Sequence, residues 1–415
     1  MKHSNDIIII GGGVIGLACA HYLIEQNKNV CIIEQDTIGS GASHGNCGLL
    51  HFSGLIPLCS PGVVTHEMAR TVRGRSPLYI KPRLDFPLMQ WLIKFAASCN
   101  QNKMESGASS KNEILRYSLS LFDLLFSNID MDCDFEKKGL LNLFTDPVYF
   151  KKYAKTNQFL NQYDFGGRAL TADATRSLEP AVNDAVVGSW FNPNDWHLRP
   201  DRFLRAWKQN LAGKGLYIEE HCRLIDVSVD QKKIVHIRTE KGSFSADTYV
   251  LSTGAWAPQM QDRLKFKIPV QPGKGYSITM GTPDRAPSVP CLLHERNMVA
   301  TPWGSGFRIG GTMEFSGFNN TLNAKRLANL IRGAKEYLNS DIDCPIVEEW
   351  SGLRPMTFDD LPIIGRAPGI DNLVLATGHG MLGITMATGT GKAVSDLITT
   401  GKTDIDLAPF SVERF

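Results

Sequence analysis

The sequence predicts an α/β protein of at least two units: a parallel sheet entered through a glycine turn, and an α+β unit built on antiparallel strands. Three stretches carry this expectation. The first runs from Ile7 to Glu34 and begins IIIIGGGVIGLACAHYLIEQ. Four β-branched apolar residues lead straight into three glycines, after which small and apolar residues recur at helical spacing: strand, tight turn, helix. The second, Leu216 to Pro258, reads as a strand, a meander with turns at DQKK and EKGS, and an apolar strand closing on Ser252, Thr253 and Gly254. The third, residues 268–315, holds four further strands bounded by turn residues, which is an antiparallel signature.

The glycine turn carries the first chemical information. Gly11 permits the tight turn, Gly13 lets a pyrophosphate approach the backbone, and Gly16 with Ala20 lets the helix pack close to the strand. The helix then points its first N–H groups at the phosphates. The second strand, Asn29 to Glu34, ends in an acidic residue about 20 positions after the glycines, where a carboxylate accepts from a ribose 2′-OH. Glu34 would repel a 2′-phosphate, so FAD or NAD is favoured over NADP. A GxGxxG alone also fits a turn in an ordinary βαβ unit. Here strand, glycines, helix, second strand and terminal acid stand in register, and a Rossmann-like dinucleotide site is expected.

Composition narrows the class. At 415 residues the chain exceeds one ordinary core, and two or three domains are expected. With 43% hydrophobic and 21% charged residues it is an ordinary globular protein, and a formal net charge of +2 gives no reason to expect nucleic acid. Nine cysteines without any CxxC suit free thiols in a reducing cytoplasm better than a disulfide framework. No secretory signal is expected before Ile7, and no metal. No apolar run reaches the roughly 18 to 20 residues needed to span a bilayer, so any membrane contact is expected to be peripheral.

The remaining elements follow in order. QDTIGSGASHGNCGLL, after Glu34, is rich in Gly, Ser, His and Asn. Such a loop offers backbone N–H groups and short polar side chains, here Ser40, Ser43 and Asn46, to a pyrophosphate or a ring edge; a plain surface loop is the alternative. Cys47 and His44 offer atoms for a covalent flavin link, though a small packing residue and a solvated imidazole account for them more simply. Residues 52–99 read as Pro-rich and irregular, with Arg70, Arg73, Arg75, Lys81 and Arg83 leading into FPLMQWLIKFAASC. That apolar stretch fits either an interfacial helix on anionic lipid or, as favoured here, a core helix of the second domain. Apolar positions at 114, 117, 121, 124 and 125 predict a one-sided helix over 110–130. Leu140 to Phe144 and VVGSWFNP read as strands, ALTADATRSLEPAV as a loop and short helix. The helix in NDWHLRPDRFLRAWKQNLAGKG ends at Gly213 and Gly215. NAKRLANLIRGAKEYL is amphipathic. The final block is EEWSGLRPMTFDDLPIIGRAP, the strand NLVLAT, the loop GHGMLG and a helix from about Ile384. Gly389 to Lys392 is not a phosphate loop, because Ala393 replaces the required Ser/Thr and Met386 the first Gly.

GGGVIG at the start, STGAWAP in the middle, and GLRPMTFDDLPIIG with TGHGMLGITMATGTG at the end resemble the D-amino acid oxidase/glycine oxidase family. Within that family the chain is most similar to the bacterial D-amino acid dehydrogenases, in the same motif order over nearly its whole length. The resemblance implies a glutathione-reductase-like FAD-binding domain from residues 1–52, 196–263 and 345–415, and a substrate-binding domain from 53–195 and 264–344. FAD would lie between them. It implies cofactor contacts at Gly11, Gly13, Val14, Ile15, Gly16, Glu34, Gln35, Ser40, Ser43, Asn46, Gly48, Leu224, Thr253, Gly254 and Trp256, and at Gly380, Met381, Leu382, Gly383, Ile384 and Thr385.

Flavin oxidation of an α-amino acid needs a carboxylate clamp, an apolar site that places Cα–H over the flavin, and a positive field for the arriving charge. Arg354 is the candidate clamp, since a guanidinium grips a carboxylate bidentately; the alternative is a structural arginine paired with Asp359 or Asp360. The GHGMLG loop, opening a helix, would supply the field through backbone N–H groups. His379 either lines that site or satisfies the loop. Tyr276 sits where the resemblance places a substrate-facing residue whose hydroxyl bonds the carboxylate; a core aromatic is the alternative. Trp196 and His197 are further pocket-wall candidates. If the amine enters neutral, no acid or base is required. The leading expectation is a D-amino acid dehydrogenase, for which D-proline or D-hydroxyproline fits as well, passing electrons to a quinone or carrier. The alternatives are an oxygen-using oxidase of glycine, sarcosine or another N-substituted amino acid, and a non-catalytic FAD subunit of a complex. The place expected is the cytoplasm, with peripheral contact at the inner face of the cell membrane. Oligomeric state is left open.

Overall fold

The computed structural model describes residues 5–72, 78–282, 286–339 and 344–415. Arg73 and Arg75, part of the basic approach noted above, lie outside them. The strand Asn5–Ile10 is the middle of a six-stranded sheet, flanked by Val30–Ile33 and then Tyr217–Glu219 on one side, and by Ala246–Leu251, Leu373–Thr377 and Ile363–Arg366 on the other. All neighbours run parallel except the last pair, which is antiparallel.

The unbroken run of isoleucines follows from burial on both faces. Ile7 and Ile9 pack with Leu17 and Ala18 of the helix Val14–Glu25 and with Val394 of the helix Ala387–Thr399. Ile8 and Ile10 face the other way, into a second core with Tyr249, Leu251 and Ile237. That second face is covered by the antiparallel meander Leu224–Asp230, Lys233–Thr239 and Gly242–Phe244.

A nine-stranded mixed sheet forms the other half. Its longest members, Val270–Met280, Gly306–Phe315 and Ile346–Thr357, pair antiparallel with Val270–Met280 between the other two. Met298–Trp303 and Cys291–Leu293 continue the sheet, followed by Leu140–Phe144, Gly188–Asn192 and Arg168–Thr171, and Leu78–Ile80 pairs with Gly306–Phe315. The helix Ala324–Ala334 closes one face through Leu327 and Leu330 against Tyr276, Ile278 and Ile309.

Several expectations shift. The stretch read as irregular contains the helix Val63–Val72. The helix expected at 110–130 begins at Gln101, capped by the Asn100 side chain. The last helix starts at Ala387 rather than near Ile384, because Leu382 to Met386 are held in turns in which the Met386 amide donates to the Leu382 carbonyl. The helix Phe86–Ser98, capped by Asp85, is a core helix on one side only: Leu88 and Trp91 are buried while Phe86, Met89 and Ile93 are exposed. Among the described residues no helix is long and apolar enough to cross a membrane.

The small residues that looked like a phosphate loop serve helix packing. The Gly389 amide donates to Ser118 Oγ at 2.9 Å, and a Cβ on Gly391 would stand 2.5 Å from the Ala18 backbone. Gly391→Ala should therefore lower the unfolding free energy by roughly 1–3 kcal/mol in urea melts through overpacking. Gly213→Ala, where a Cβ meets nothing within 4 Å, should change it little.

Candidate functional site

A cavity of about 1840 Å³ opens between the two large sheets, from the glycine turn to the helix Phe86–Ser98. Single drug-sized ligand sites occupy roughly 300–1,000 Å³, so this one has room for a dinucleotide and a second molecule. Gly11, Gly13, Val14, Ile15, Glu34, Gln35, Ser40, Ser43, Asn46, Leu224, Thr253, Gly254 and Trp256 line it, as do Tyr276, Arg354, His379 and residues 380–384.

The dinucleotide end is built from backbone. Gly11 adopts φ +107°, and a Cβ there would meet the Ser252 carbonyl at 2.6 Å. Ser252 Oγ donates to the Gly11 carbonyl at 2.9 Å and fixes the turn. At the start of the helix, Val14 N–H donates to Ser43 Oγ (3.1 Å), while Gly13 and Ile15 N–H find no acceptor among the described residues. Open N–H groups at a helix N-terminus are suited to a phosphate. Glu34 is anchored by the Gly12 and Asp36 amides, at 2.6 and 3.0 Å, and keeps a lone pair on each oxygen for a hydroxyl. Burial pushes its carboxyl up, against the pull of those two hydrogen bonds. Thr253 Oγ1 is buried on the cavity wall without a partner among the described residues.

At the other end, Arg354 extends across Gly275 of the neighbouring strand; a Cβ there would stand 2.2 Å from its Nη1. Its protein hydrogen bond goes to the Thr312 carbonyl, at 2.8 Å. Asp359 is paired with Arg414 (2.7 Å), and Asp360 with Lys111 (2.7 Å), so the structural ion pair weighed for Arg354 is not made. Burial lowers its proton affinity, with nearby Cys47 opposing, yet a guanidinium stays charged. Thr312 sits at φ +68°, where the pairing of Gly306–Phe315 with Val270–Met280 slips between Lys274 and Tyr276. This bulge carries a β-branched residue in the left-handed region.

His379 lines the cavity and satisfies its loop at once: Nε2 meets Thr390 Oγ1 at 3.0 Å, and burial pushes the imidazole down to about 3. It is neutral at physiological pH. Beyond it, Gly383 and Ile384 N–H have no acceptor among the described residues. Because the helix starts later than expected, these N–H groups act from a turn, without a helix axis directly behind them.

Some expected residues stand elsewhere. Gly16 meets the Gly11 carbonyl, where a Cβ would come within 2.0 Å, and so serves packing. Gly48, at φ +73°, lies against the Leu198 carbonyl. Thr385 Oγ1 accepts from the His51 amide at 3.1 Å, buried beneath the loop. Tyr276 lines the cavity, but its hydroxyl donates to Glu314 at 3.1 Å, so the proton a substrate carboxylate would require is already used. Trp196 and His197 are not on the wall: Trp196 packs edge-on against Phe52 and Phe135, and His197 faces Glu136. His44 pairs with Glu348 at 2.7 Å, whereas Cys47 does line the cavity. Sequence reading missed Thr312, Gly275 and Arg308. Arg308 is buried and donates to the carbonyls of His44 and Asn46 at 2.9 and 2.8 Å, tying the loop to the large sheet. Only the repeated small residues in GKG hinted at the space Arg354 needs.

A mostly parallel sheet with a phosphate-type turn, a meander and a large mixed sheet over one shared cavity define a dinucleotide oxidoreductase. The chain belongs to the FAD dependent oxidoreductase (DAO) family, whose model matches residues 6–397. It is 29% identical to a D-amino acid dehydrogenase of Vibrio atlanticus (strain LGP32) over 99% of this chain and 100% of the relative. It is 30% identical to one of Helicobacter pylori (strain ATCC 700392 / 26695) over 95% of each. Glycine oxidase from Geobacillus kaustophilus superposes with a TM-score of 0.80 at 25% identity, covering 100% of both chains. L-proline dehydrogenase from P. horikoshii shares the fold, with a TM-score of 0.76 at 21% identity over 100% of this chain and 98% of the other. FAD is the cofactor of this protein, and the open N–H groups and unpartnered Thr253 hydroxyl along the cavity fit its acceptor atoms.

Two outcomes follow from the local chemistry. The His379 imidazole stays neutral in the native state while the unfolded chain protonates at its ordinary value of 6.5, so stability is lost as pH falls below 6.5. His379→Asn should flatten the pH dependence of urea stability between pH 6.5 and 5, by up to about 1.4 kcal/mol per pH unit. Thr312→Gly should raise the melting temperature, because strain of about 1–3 kcal/mol at a left-handed non-glycine residue exceeds the roughly 0.5–1 kcal/mol entropic cost of glycine.

Proposed function

We propose that the protein is a D-amino acid dehydrogenase that oxidises the Cα–N bond of its substrate and passes the electrons to a quinone or electron carrier. The observation that carries this reading is the Arg354 guanidinium, held in the cavity by one backbone carbonyl and, among the described residues, by no carboxylate. A half-buried cation without a carboxylate partner favours an entering carboxylate. The names of the curated relatives point to the same chemistry.

In this reading Arg354 grips the substrate carboxylate, and the Thr312 carbonyl keeps the guanidinium pointing into the cavity. The Gly13 and Ile15 amides hold the pyrophosphate, Glu34 the ribose hydroxyls, and the loop amides of Gly383 and Ile384 the polar edge of the flavin. Ser40, Ser43, Asn46, Gln35, Leu224, Gly254, Trp256 and residues 380–382 complete the wall around the cofactor. Bound FAD supplies the two-electron acceptor for the hydride that leaves Cα. A neutral amine enters, and water hydrolyses the released imino acid to a keto acid and ammonia. His379 contributes no proton, being neutral and bonded to Thr390; closing out water and orienting the substrate account for the rate.

We propose further that the FAD-binding unit comprises 1–52, 196–263 and 345–415, with 53–195 and 264–344 forming the substrate-binding unit. In support, the six-stranded sheet takes strands from all three of the former segments, while Ile346–Thr357 joins the nine-stranded sheet and carries Arg354 to the cavity between them. The place of action is the cytoplasm, in contact with the inner face of the cell membrane. A second reading, an oxygen-using oxidase of glycine or an N-substituted amino acid, is favoured by the structural likeness to a glycine oxidase.

Anaerobic mixing with D- and L-amino acids, including proline isomers, glycine and sarcosine, tests the function through bleaching of the flavin spectrum, and the rate of reoxidation in air separates dehydrogenase from oxidase. D-isomers should bleach it, followed by slow reoxidation; selective bleaching by glycine or sarcosine with rapid reoxidation supports the oxidase, and no bleaching by any of them contradicts both. Arg354→Ala should raise KM by about 100-fold or more with FAD content unchanged, the loss of two charge-assisted hydrogen bonds, with Arg354→Lys in between.

A further inference from the structure

Two short strands, Leu49–Leu50 and Trp196–His197, pair antiparallel with Leu50 opposite Trp196. That register brings the next residue of one, His51, beside the preceding residue of the other, Asp195. His51 Nδ1 lies 3.2 Å from Asp195 Oδ2. Asp195 is wholly buried, and it accepts further from the Ser53 amide at 2.9 Å and the Ser53 hydroxyl at 2.6 Å. A carboxylate only accepts, so Nδ1 carries the proton and Nε2 is left with a lone pair. Nε2 has no partner among the described residues, and His51 is half-buried on the cavity wall.

The ring is held beside the reacting end of the cavity. The His51 amide donates to Thr385 Oγ1 at 3.1 Å, one residue past Ile384 and its open N–H. Gly54 leaves room for the imidazole: a Cβ there would stand 2.5 Å from its Cδ2 and 3.0 Å from its Nε2. The elements around it bring little other charge. The turn before Trp196 contributes Asp195, the loop before the last helix the neutral Thr385 hydroxyl, and its own loop the Ser53 hydroxyl at 3.3 Å. Tyr153 also senses Asp195; burial and that carboxylate push its phenol up, so it stays neutral. A wholly buried carboxylate is costly unless it is bonded and its charge offset, and His51 is its one basic partner among the described residues. A histidine that merely filled the wall would need no such acid behind it.

We propose that His51 Nε2 takes the proton that the substrate's ammonium group must lose before its Cα–N bond is oxidised, with Asp195 as the positioning residue. This role rests on the amino acid oxidation proposed above, in which the amine is neutral when the hydride leaves. In water near neutral pH an α-amino group is mostly ammonium, which has no lone pair from which to form C=N. One N–H bond breaks, its electron pair stays on nitrogen, and the proton passes to Nε2 while Asp195 balances the imidazolium charge. As the hydride leaves Cα, the nitrogen pair forms the C=N bond of the imino acid. The imidazolium returns its proton to water once product has left. Neutral Nε2 suits the ammonium rather than the carboxylate, because it accepts and a carboxylate has nothing to donate.

The test compares the FAD-loaded wild type with His51→Gln and His51→Asn from about pH 6 to about pH 10. Binding is read from the flavin spectrum with 2-aminoisobutyrate, an amino acid that has no Cα–H to lose, and anaerobic flavin reduction with D-alanine, D-proline and glycine. In both variants affinity and reduction rate should go on rising to a pH at least about one unit above the wild type, because the ammonium must then lose its proton to water. Reduction at about pH 7 should slow roughly 100-fold and recover most of that loss by about pH 10, with FAD content, melting temperature and benzoate affinity unchanged. Asp195→Asn should shift both profiles in the same direction. Profiles that coincide in the wild type and both His51 variants overturn the proposal. So does 2-aminoisobutyrate affinity that rises as the pH falls, the mark of an imidazolium gripping the carboxylate. A wild type that neither binds nor is bleached by any of these amino acids contradicts the amino acid reading and this role together; one that is bleached with a profile indifferent to His51 contradicts this role alone.

Discussion

The Arg354 guanidinium is a positive charge on the cavity wall, half-buried and given one backbone carbonyl among the described residues. Placing it there constrains three strands at once. Gly275 must lack a side chain, because the guanidinium occupies the space a Cβ would need. Thr312 must turn its carbonyl out of the ladder, which the bulge and its left-handed backbone accomplish. The two acids that follow it in sequence, Asp359 and Asp360, must be occupied elsewhere, and Arg414 and Lys111 occupy them. A cation kept from these counter-ions leaves the charge available to a ligand.

The dinucleotide end follows a complementary rule. Beside the Glu34 carboxylate, recognition there falls to N–H groups left open by local geometry: two at the start of the first helix, two in the turns before the last. The parallel sheet makes this possible by burying the first strand on both faces, so its end is rigid where the glycines begin. Arg308 extends that rigidity to the 44–46 loop, beside the His44–Glu348 pair that ties it to the same sheet. One end of the cavity thus offers neutral donors and the other a cation, in keeping with a large polar cofactor and a small anionic partner.

Much of the fold was legible because periodicity and turn residues are local signals. The isoleucine run, the glycine turn, the meander and the antiparallel group all appear where their residues suggested. Strand order was not, since nothing in Leu140–Phe144 or Gly188–Asn192 says that they continue the sheet begun by Cys291–Leu293. Site geometry was legible where chemistry is carried by composition, as at Gly11, Glu34 and Arg354. It failed where a tertiary partner decides a side chain's role. The hydroxyl of Tyr276 was lost to Glu314, 38 residues away in neither pattern nor motif, and Trp196 was drawn into an aromatic core by Phe52 and Phe135. The strained Thr312 leaves no trace in sequence, because the bulge that demands it depends on which strands pair.

The most direct measure of whether the Arg354 charge awaits a carboxylate is a spectral titration of the FAD-loaded protein with a non-oxidisable acid, benzoate, beside its neutral amide, benzamide. Saturable perturbation of the flavin spectrum by benzoate, with benzamide at least about tenfold weaker, is the result the unpaired guanidinium predicts. Equal responses to the acid and the amide, or none to either, would contradict it.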